Sequence, residues 1–426
     1  MKNLPYLELY NLLKQEFASA EREINIPALG IKITRSKFHS KGAAVLPGRK
    51  SYYCPKHDKK FPGETTYEGL PETGEGSILH THDSEFTCNE GFEYIIINNI
   101  DPAEPGNTFL SNNAILLFHG LNEKRWDKYL PWAYSLLVST GKPVILFPLA
   151  FHMDRAPASW SDAKSMNRAA RERALAGKLN SHTSFVNAAI SSRLEANPQR
   201  FFWSGLESYV DVSVFLHELS GGKVPGFAKG TAADIFGYSI GAYFGLILIM
   251  AGAGGLTDNS KLFAFCGGAT LDRMYPISKY ILDAHAASAI SSYYLELLNN
   301  DFKSTGRLNH YLSDEHPEES YFKSMLLYHH NKELRELRLR GAAGRIHAVA
   351  LKQDSVVPPV EVLNTLRGEM RDIDITVDVE DFPYEYSHVT PFPLAPKLAV
   401  QTDEAFRRIM ARAGEFLGRG ELKRQK

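Results

Sequence analysis

The chain has 426 residues, of which 44% are hydrophobic and 23% charged, so it can fold around a large core. The 48 Lys and Arg residues nearly balance the 49 Asp and Glu residues, and the formal net charge of −1 argues against binding to nucleic acid or to an anionic membrane surface. Three cysteines, Cys54, Cys88 and Cys266, are too few for a disulfide framework and are typical of a reducing compartment. We therefore expect a cytoplasmic protein whose partner is a small molecule.

The first predicted element is a helix close to the N-terminus. Tyr6, Leu9, Leu13 and Phe17 recur at helical spacing, which predicts an amphipathic helix that packs against the rest of the protein. Charged residues interrupt this segment and no small-residue cleavage site follows it, so it is a poor match to a signal peptide.

Residues 30–90 are rich in Gly, Pro, Ser, Thr and charge, which predicts loops and short strands over the surface or over a later site. The segment contains a group of thiols and imidazoles that invites a zinc interpretation: Cys54, His57, His80, His82 and Cys88. The Cys-x-x-His spacing is not followed by a second compact pair, so it matches no closed zinc site. We interpret the group as scattered polar loop residues and predict no metal and no cofactor; a zinc-dependent hydrolase is the alternative.

Beyond residue 92 the sequence alternates between buried strands and helix-length segments. The predicted strands span 92–100, 113–121, 142–150, 232–241, 261–270, 345–354 and 374–382. Several are nearly unbroken runs of Val, Ile, Leu and Phe, as in parallel strands that are covered on both faces. This alternation predicts an α/β fold with a doubly wound, mostly parallel sheet.

Two connections are too long for simple crossovers, residues 152–202 and residues 272–344, and both contain helical patterns. We interpret the second as a helical lid over the carboxyl edge of the sheet, where ligands bind in such folds. The predicted organisation is therefore an N-terminal extension (1–90), a core formed by 91–271 and 345–426, and a lid (272–344). Several aromatic residues of these connections either face a site or only pack the lid on the core: Trp160, Tyr293, Tyr294, Tyr321, Phe322 and Tyr328.

The longest apolar run, residues 240–256, begins inside the sequence Gly237-Tyr238-Ser239-Ile240-Gly241. A membrane span is the weaker interpretation of this run, because a core helix that starts at such a turn accounts for it. A Gly-x-Ser-x-Gly turn between a strand and a helix holds its serine in a strained conformation and exposes the hydroxyl as a nucleophile. The backbone N–H of Ile240 then becomes a donor to an oxyanion. A plain buried turn is the alternative.

A nucleophilic serine needs a base and an orienting carboxylate, and both candidates follow later in the chain. Asp354 follows strand 345–354 in "QDSVVPP", and His388 follows strand 374–382 in "YSHVTPF". Both lie after parallel strands, at the edge that also carries Ser239, so we expect the three side chains to lie together. A turn aspartate and a polar loop histidine are the alternatives. Other acids also compete for the role, namely Asp272, Asp381 and Glu385.

A second oxyanion donor is expected in the loop after the early strand 113–121, which ends in "HGLN". Gly120 allows this backbone to turn inward, and we assign the N–H of Leu121 as the donor, with Asn122 as the substitute. We interpret His119 as a structural hydrogen-bonding group below the loop, because a base on that strand would leave His388 without a role.

These motifs together resemble the α/β-hydrolase superfamily over about residues 90–415, and the chain is similar to an uncharacterised bacterial group within it. The resemblance implies that Ser239 is the nucleophile, Asp354 the acid and His388 the base, with oxyanion donors at Ile240 and Leu121. The "HGLN" sequence departs from the glycine-rich version found in lipases and esterases.

The expected activity is hydrolysis of an ester of a small acyl substrate through an acyl-enzyme intermediate. Thioesterase, acyltransferase and peptidase activities use the same groups and stay open, as does a binding protein that has the fold without the activity. The sequence predicts no oligomeric state.

Overall fold

The computed structural model describes residues 4–63, 81–100, 110–176, 182–299, 306–313 and 315–418. Its strands are β1 (Glu23–Ile26), β2 (Ile31–His39), β3 (Ser51–Cys54), β4 (Lys59–Pro62), β5 (Gly91–Asn99), β6 (Ser111–Phe118), β7 (Val144–Leu146), β8 (Phe227–Tyr238), β9 (Leu262–Phe265), β10 (Ile346–Leu351) and β11 (Thr376–Glu380). Its helices are α1 (Tyr6–Phe17), α2 (Thr87–Glu90), α3 (Tyr129–Thr140), α4 (Ala163–Ala176), α5 (Ala188–Ala196), α6 (Gln199–Ser220), α7 (Ile240–Ala251), α8 (Ala284–Asn299), α9 (Arg307–Tyr311), α10 (Pro317–Ser324), α11 (Lys332–Gly341), α12 (Pro359–Leu366) and α13 (Ala399–Gly418).

Nine of these strands form one sheet in the order β1-β2-β5-β7-β6-β8-β9-β10-β11. The six strands from β7 to β11 in this order are parallel to one another, whereas β1, β2 and β5 pair in antiparallel fashion, β5 with both β2 and β7. The α/β fold class predicted from the sequence, with a doubly wound and mostly parallel sheet, is confirmed. Strands β3 and β4 form a separate antiparallel hairpin.

Continuous apolar strands place large side chains on both faces of the sheet, and each face carries its own core. In β6, Leu116 and Phe118 belong to one core, whereas Ile115 and Leu117 belong to the other, because successive side chains of a strand point to opposite faces. Helices α6, α7 and α12 cover the first face, and α1, α3 and α13 cover the second. This arrangement buries both sides of the central strands.

Helix α1 spans the predicted segment and buries Tyr6, Leu9 and Leu13, as its spacing predicts. The ring of Tyr6 packs against the rings of Phe392 and Phe406, at centroid distances of 5.8 and 4.4 Å. The backbone N–H of Tyr6, the first of the helix, donates to Asp403 Oδ1 at 2.8 Å. The first helix therefore docks on the last one.

Residues 1–90, predicted as an extension outside the core, supply β1 and β2 to the main sheet. The prediction placed the start of the core at residue 91, and the sheet in fact begins with Glu23. Strand β2 carries charged residues among its apolar ones and has a mixed burial pattern. Such a composition is also typical of loops and short strands, which the sequence predicts here. Its nine residues pair along the full length of β5.

A buried ion cluster ties this N-terminal region to α6. Arg155 donates to Glu207 Oε1 at 2.8 Å and to Asp211 Oδ2 at 3.0 Å, and none of these side chains is exposed. The other oxygen of Asp211 accepts hydrogen bonds from the Ser40 hydroxyl and the Gly42 N–H, both at 2.9 Å. Since truncating one partner of such a cluster leaves a buried charge unpaired, the cluster fixes the turn after β2 in place.

The predicted helical connection at residues 272–344, which we call the insertion, contains α8, α9, α10 and α11 between β9 and β10. It is anchored at two points of the described chain. Arg173 of α4 contacts Asp283 through several hydrogen bonds of 2.7–2.9 Å, and the backbone N–H of Leu271, just before the insertion, donates to the carbonyl oxygen of Met325 within it. The insertion is therefore packed on the core as an ordered layer.

Across the described ranges, no helix is both long enough and apolar enough to cross a membrane. The apolar run that starts at residue 240 forms α7, and most of its side chains are buried in the core on the first face of the sheet.

Candidate active site

Ser239 lies between β8 and α7, and its backbone has φ 56° and ψ −118°. This conformation is strained for a residue with a side chain and matches a nucleophile elbow. A Cβ atom on Gly241 would lie 2.5 Å from the carbonyl oxygen of Phe118, and one on Gly237 would lie 2.6 Å from the carbonyl oxygen of Gly241. The two glycines are therefore required by the close approach of strand and helix at this turn.

The hydroxyl oxygen of Ser239 lies 2.6 Å from Nε2 of His388. Nδ1 of the same ring lies 2.7 Å from Oδ2 of Asp354. Carboxylate, imidazole and hydroxyl thus form a continuous chain in the order that nucleophilic activation needs. With a proton on Nδ1 donated to Asp354, Nε2 is free to accept the proton of the serine hydroxyl.

Asp354 is held by the turn that follows β10. Its Oδ1 accepts the N–H groups of Val356 and Val357, both at 2.9 Å, which leaves Oδ2 for the histidine. The carboxylate side chain is fully buried and that of His388 is 3% exposed. Because a buried carboxylate with three hydrogen-bond donors is satisfied only while the imidazole stays in place, this turn fixes the orientation of the ring.

None of the competing acids has a recorded contact with His388 in the described structure. Asp272 accepts from Thr270 Oγ1 at 2.7 Å and from the N–H of Tyr328 at 3.0 Å, within the insertion. Asp381 is exposed and contacts Tyr386 and Gln353. Glu385 is also exposed.

The loop after β6 is held from below by aromatic and imidazole groups. Tyr129 accepts the N–H of Gly120 at 2.9 Å, so this amide is already used. His119 is fully buried; its Nε2 accepts the N–H of Leu149 at 3.0 Å, and Nδ1 lies 2.9 Å from the carbonyl oxygen of Gly120. Burial lowers the pKa of His119 to about 4, so the ring is neutral and acts as a support of the loop.

Leu121 and Ile240, the two residues predicted to supply oxyanion donors, line the same cavity as Ser239. Among the described residues, no acceptor is recorded for the backbone N–H of Leu121. Asn122 adopts φ 63°, and its side-chain amide donates to the carbonyl oxygens of Val186 and Tyr280 at 3.1 and 2.8 Å. The side chain of Asn122 therefore ties the loop to the insertion and does not point its amide at the serine.

The cavity at Ser239 has a volume of about 410 Å³, which is in the range of small-molecule sites. Its wall is mostly aliphatic and comes from the insertion and from the turn after Asp354, as in Leu271, Met274, Ile281, Ile290, Val356 and Val357. Tyr275 and Ile277 line the same cavity and are 61% and 42% exposed, so the apolar wall continues to the surface.

A second, smaller cavity of about 90 Å³ shares Leu121, Phe201 and Ile240 with the first. Of the aromatic residues singled out in the two long connections, some line a cavity and others do not. Tyr294 lines the larger cavity and Phe322 the smaller one, whereas Trp160 packs with Phe86 and Phe151 in a separate cluster.

The thiols and imidazoles between residues 54 and 88 do not form one group. Cys54 and His57 lie together, His80 falls outside the described residues, and Cys88 donates to the carbonyl oxygen of Arg155 at 3.5 Å. His82 belongs to neither group of potential metal ligands found in the described chain. Instead, Cys54 and His57 meet His310 and His316 of the insertion, which the sequence analysis did not single out.

The model of a family of unknown function, DUF6051, matches residues 4–418 of the chain. No curated protein sequence matches.

Several solved esterase structures are similar in fold. Carboxyl esterase 2 (TmelEST2) of the mycorrhizal fungus Tuber melanosporum is 12% identical, with 77% of this chain and 82% of that chain covered and a TM-score of 0.41. Esterase LipW of Mycobacterium marinum is 13% identical, covering 96% and 87%, with a TM-score of 0.42. A thermostable esterase of Pseudomonas putida is 11% identical, covering 98% and 93%, with a TM-score of 0.40. At these identities and TM-scores, the activities of these enzymes do not transfer to this chain.

Proposed function

The chain belongs to the family of unknown function DUF6051, and we propose that it is a serine hydrolase that cleaves esters of apolar carboxylic acids. The observation that supports this most is the chain of contacts from Asp354 through His388 to Ser239, at 2.7 and 2.6 Å, which ends at Ser239 in the wall of a mostly apolar cavity. A binding protein that has this fold without catalytic activity would not need this alignment of three polar side chains.

The first half of the proposed reaction forms an acyl-enzyme. Ser239 Oγ attacks the carbonyl carbon while His388 Nε2 takes its proton, and Asp354 stabilises the imidazolium. The negative charge that develops on the carbonyl oxygen is stabilised by the N–H groups of Ile240 and Leu121; removing one such donor costs about 100- to 1,000-fold in kcat. As the carbon–oxygen bond to the alcohol breaks, His388 returns its proton to the leaving oxygen.

The second half releases the acid. Water attacks the acyl carbon, His388 takes one of its protons, and the bond between the carbonyl carbon and Ser239 Oγ breaks. The proton then passes from His388 to the serine, so the site returns to its initial state. Each bond that forms in the first half is broken in the second, and one water is consumed per ester.

The lining of the larger cavity supports an apolar acyl group. Aliphatic side chains of the insertion, including Met274, Ile281 and Ile290, surround the space next to the serine. The lining also includes Asp272, Ser288, Ser291 and two tyrosines, but apolar side chains outnumber these polar groups, and a buried polar group without a partner is costly. Aliphatic acyl chains therefore fit this wall best.

The proposal is tested with a fluorophosphonate probe and a series of 4-nitrophenyl esters from acetate to octanoate. We expect the wild-type protein to be labelled and to hydrolyse these esters, and we expect both signals to vanish in Ser239→Ala. His388→Ala should label at least about 1,000-fold more slowly, because the serine then lacks its base.

Ser288 lines the same cavity, so Ser288→Ala is the matched control and should behave as wild type. Labelling that survives in Ser239→Ala would assign the reactive group elsewhere. A folded wild-type protein that labels no faster than His388→Ala would exclude the proposed serine hydrolase.

A further inference from the structure

Four side chains that are distant in sequence meet between the hairpin and the insertion. Cys54 ends β3 and His57 lies in the turn before β4, whereas His310 and His316 lie in and after α9. One ligand atom from each residue lies within 4.8 Å of the other three. Cys54 Sγ is 3.6 Å from His57 Nδ1 and 3.6 Å from His316 Nε2, and His316 Nε2 is 3.0 Å from His310 Nε2.

The two S···N separations match the edges of a zinc tetrahedron, and the 3.0 Å N···N separation is a few tenths of an ångström shorter than such an edge. With Zn–S of about 2.3 Å and Zn–N of about 2.0–2.1 Å, tetrahedral angles give S···N distances of about 3.6 Å and N···N distances of about 3.3–3.4 Å. We propose that Cys54, His57, His310 and His316 bind one zinc ion that links the β3–β4 hairpin to the insertion. Four protein ligands leave no open position, so the ion is structural and takes no part in hydrolysis.

The surroundings favour a bound cation over a set of hydrogen bonds among the four groups. One N–H···N hydrogen bond can span the 3.0 Å contact between His310 and His316, but His316 Nε2 also lies 3.6 Å from Cys54 Sγ, so this single nitrogen faces two groups at once. Both rings are nearly fully buried, as is Cys54. A metal ion satisfies all the converging lone pairs at once.

Two carboxylates lie beside Nδ1 of His316, the ring nitrogen that would not bind the metal. A metal-bound histidine usually donates the N–H of this second nitrogen to such a partner. His316 Nδ1 lies 3.4 Å from Glu319 Oε2 and 3.5 Å from Glu318 Oε1. These three residues also form a second group of potential ligands, but that group has one imidazole and two carboxylates. The thiol and three imidazoles are the ligands that zinc prefers, and Glu319 completes them as an orienting partner.

The site would join parts of the chain that lie about 250 positions apart. Other contacts bring the same surfaces together: the Arg307 guanidinium stacks 3.5 Å from the Tyr52 ring centroid, and Lys56 pairs with Glu318 at 3.0 Å. Because Glu318 and Glu319 also line the smaller cavity, the zinc ion would hold one wall of that cavity. The cross-link thereby fixes the insertion over the candidate active site.

The test measures zinc in the full-length protein, purified without a metal-affinity tag and dialysed against metal-free buffer. We expect about one zinc ion per chain by elemental analysis, and a rise in Tm of several degrees when Zn²⁺ is added to chelator-treated protein. Co²⁺ added to the same apo protein should give the intense visible bands of a tetrahedral site and a thiolate charge-transfer band.

Cys54→Ser should lose the charge-transfer band, and His57→Gln should weaken Zn²⁺ binding at least about tenfold. Cys88→Ser is the matched control, because Cys88 is not part of the cluster, and it should retain both signals. If Cys54→Ser does not fold, the partly exposed His57 still provides the comparison. Wild-type protein that binds no Zn²⁺ or Co²⁺, or that binds them as His57→Gln does, overturns the proposal; ester hydrolysis does not enter this readout.

Discussion

The hydroxyl of Tyr238 donates a hydrogen bond to the backbone carbonyl oxygen of His388. The two rings are also stacked, with centroids 5.8 Å apart and an interplanar angle of 18°. Tyr238 directly precedes Ser239, so one residue of the elbow holds the loop that carries the proposed base. The contact fixes the position of the imidazole independently of Asp354.

Tyr238→Phe removes this hydrogen bond and keeps the ring. We expect kcat to fall about two- to tenfold with KM nearly unchanged, because a buried hydrogen bond contributes about 0.5–1.5 kcal/mol and the variant changes only the position of the base. Steady-state kinetics on a 4-nitrophenyl ester measures the two constants separately. Tyr134→Phe is the control, since the buried Tyr134 hydroxyl has no partner among the described residues. Equal kcat values in the two variants would mean that the Tyr238 contact has no positioning role.

Ala287→Phe places a large ring in the wall of the 410 Å³ cavity. We expect kcat/KM for the octanoyl ester to fall at least about tenfold, because the ring occupies space that a long acyl chain needs. The acetyl ester should change less than about threefold. Parallel kinetics on both esters, with Ala287→Ser as the size-matched control, measures this difference. A uniform loss on both esters would place the acyl group outside this cavity.

Gly241→Ala tests the close packing at the elbow. The added Cβ would lie 2.5 Å from the Phe118 carbonyl oxygen, a backbone atom that cannot move without shifting β6. We expect the free energy of unfolding to fall by about 2 kcal/mol or more, together with loss of hydrolysis. Urea unfolding measures the change. Gly341→Ala at the end of α11 meets no atom within 4 Å and should be neutral or slightly stabilising; the prediction fails if the two variants unfold alike.

His119 predicts a dependence of stability on pH. Burial lowers its pKa to about 4 in the folded protein from the ordinary value of 6.5, so the unfolded chain binds the proton more readily between these values. Stability that is complete above pH 6.5 is therefore lost as the pH falls towards 4. At pH 5 the loss relative to pH 7.5 amounts to about 2 kcal/mol.

Urea unfolding of wild type and His119→Asn at the two pH values isolates this contribution. The variant should lose about 2 kcal/mol less than wild type. Burial first, and then the adjacent His119, lower the pKa of His152, so the variant also removes the smaller contribution that His119 makes there. Replacing the exposed His217 by Asn should leave the wild-type dependence intact. The same pH dependence in wild type and His119→Asn would rule out the assigned role.

Much of the sheet was predictable because its central strands are nearly unbroken apolar runs. Segment 113–121 covers the last six residues of β6, of which the last five are buried, and segment 261–270 contains the fully buried β9. Strand β2 was missed because an antiparallel strand near the edge of a sheet carries polar residues on its open side, and its Lys and Arg residues are also typical of loops.

For the candidate site, local sequence patterns predicted three residues whose side chains the structure places together. Ser239, Asp354 and His388 each follow a parallel strand, and the carboxyl ends of such strands share one edge of the sheet, so topology brings them close. Their catalytic role stays a prediction. His310 and His316 gave no such signal, because their spacing becomes meaningful only when the fold brings Cys54 and His57 beside them.

The packing of Tyr6 on Phe392 and Phe406 has a consequence for synthesis of the protein. Phe392 lies four residues after His388, so the segment that carries the proposed base rests between α1 and α13. The central strands come earlier in the chain, but this segment gains its support only once α13 has been synthesised and has folded. A chain released before α13 would therefore carry the serine elbow without a settled histidine, and would be unable to act on an ester while still incomplete.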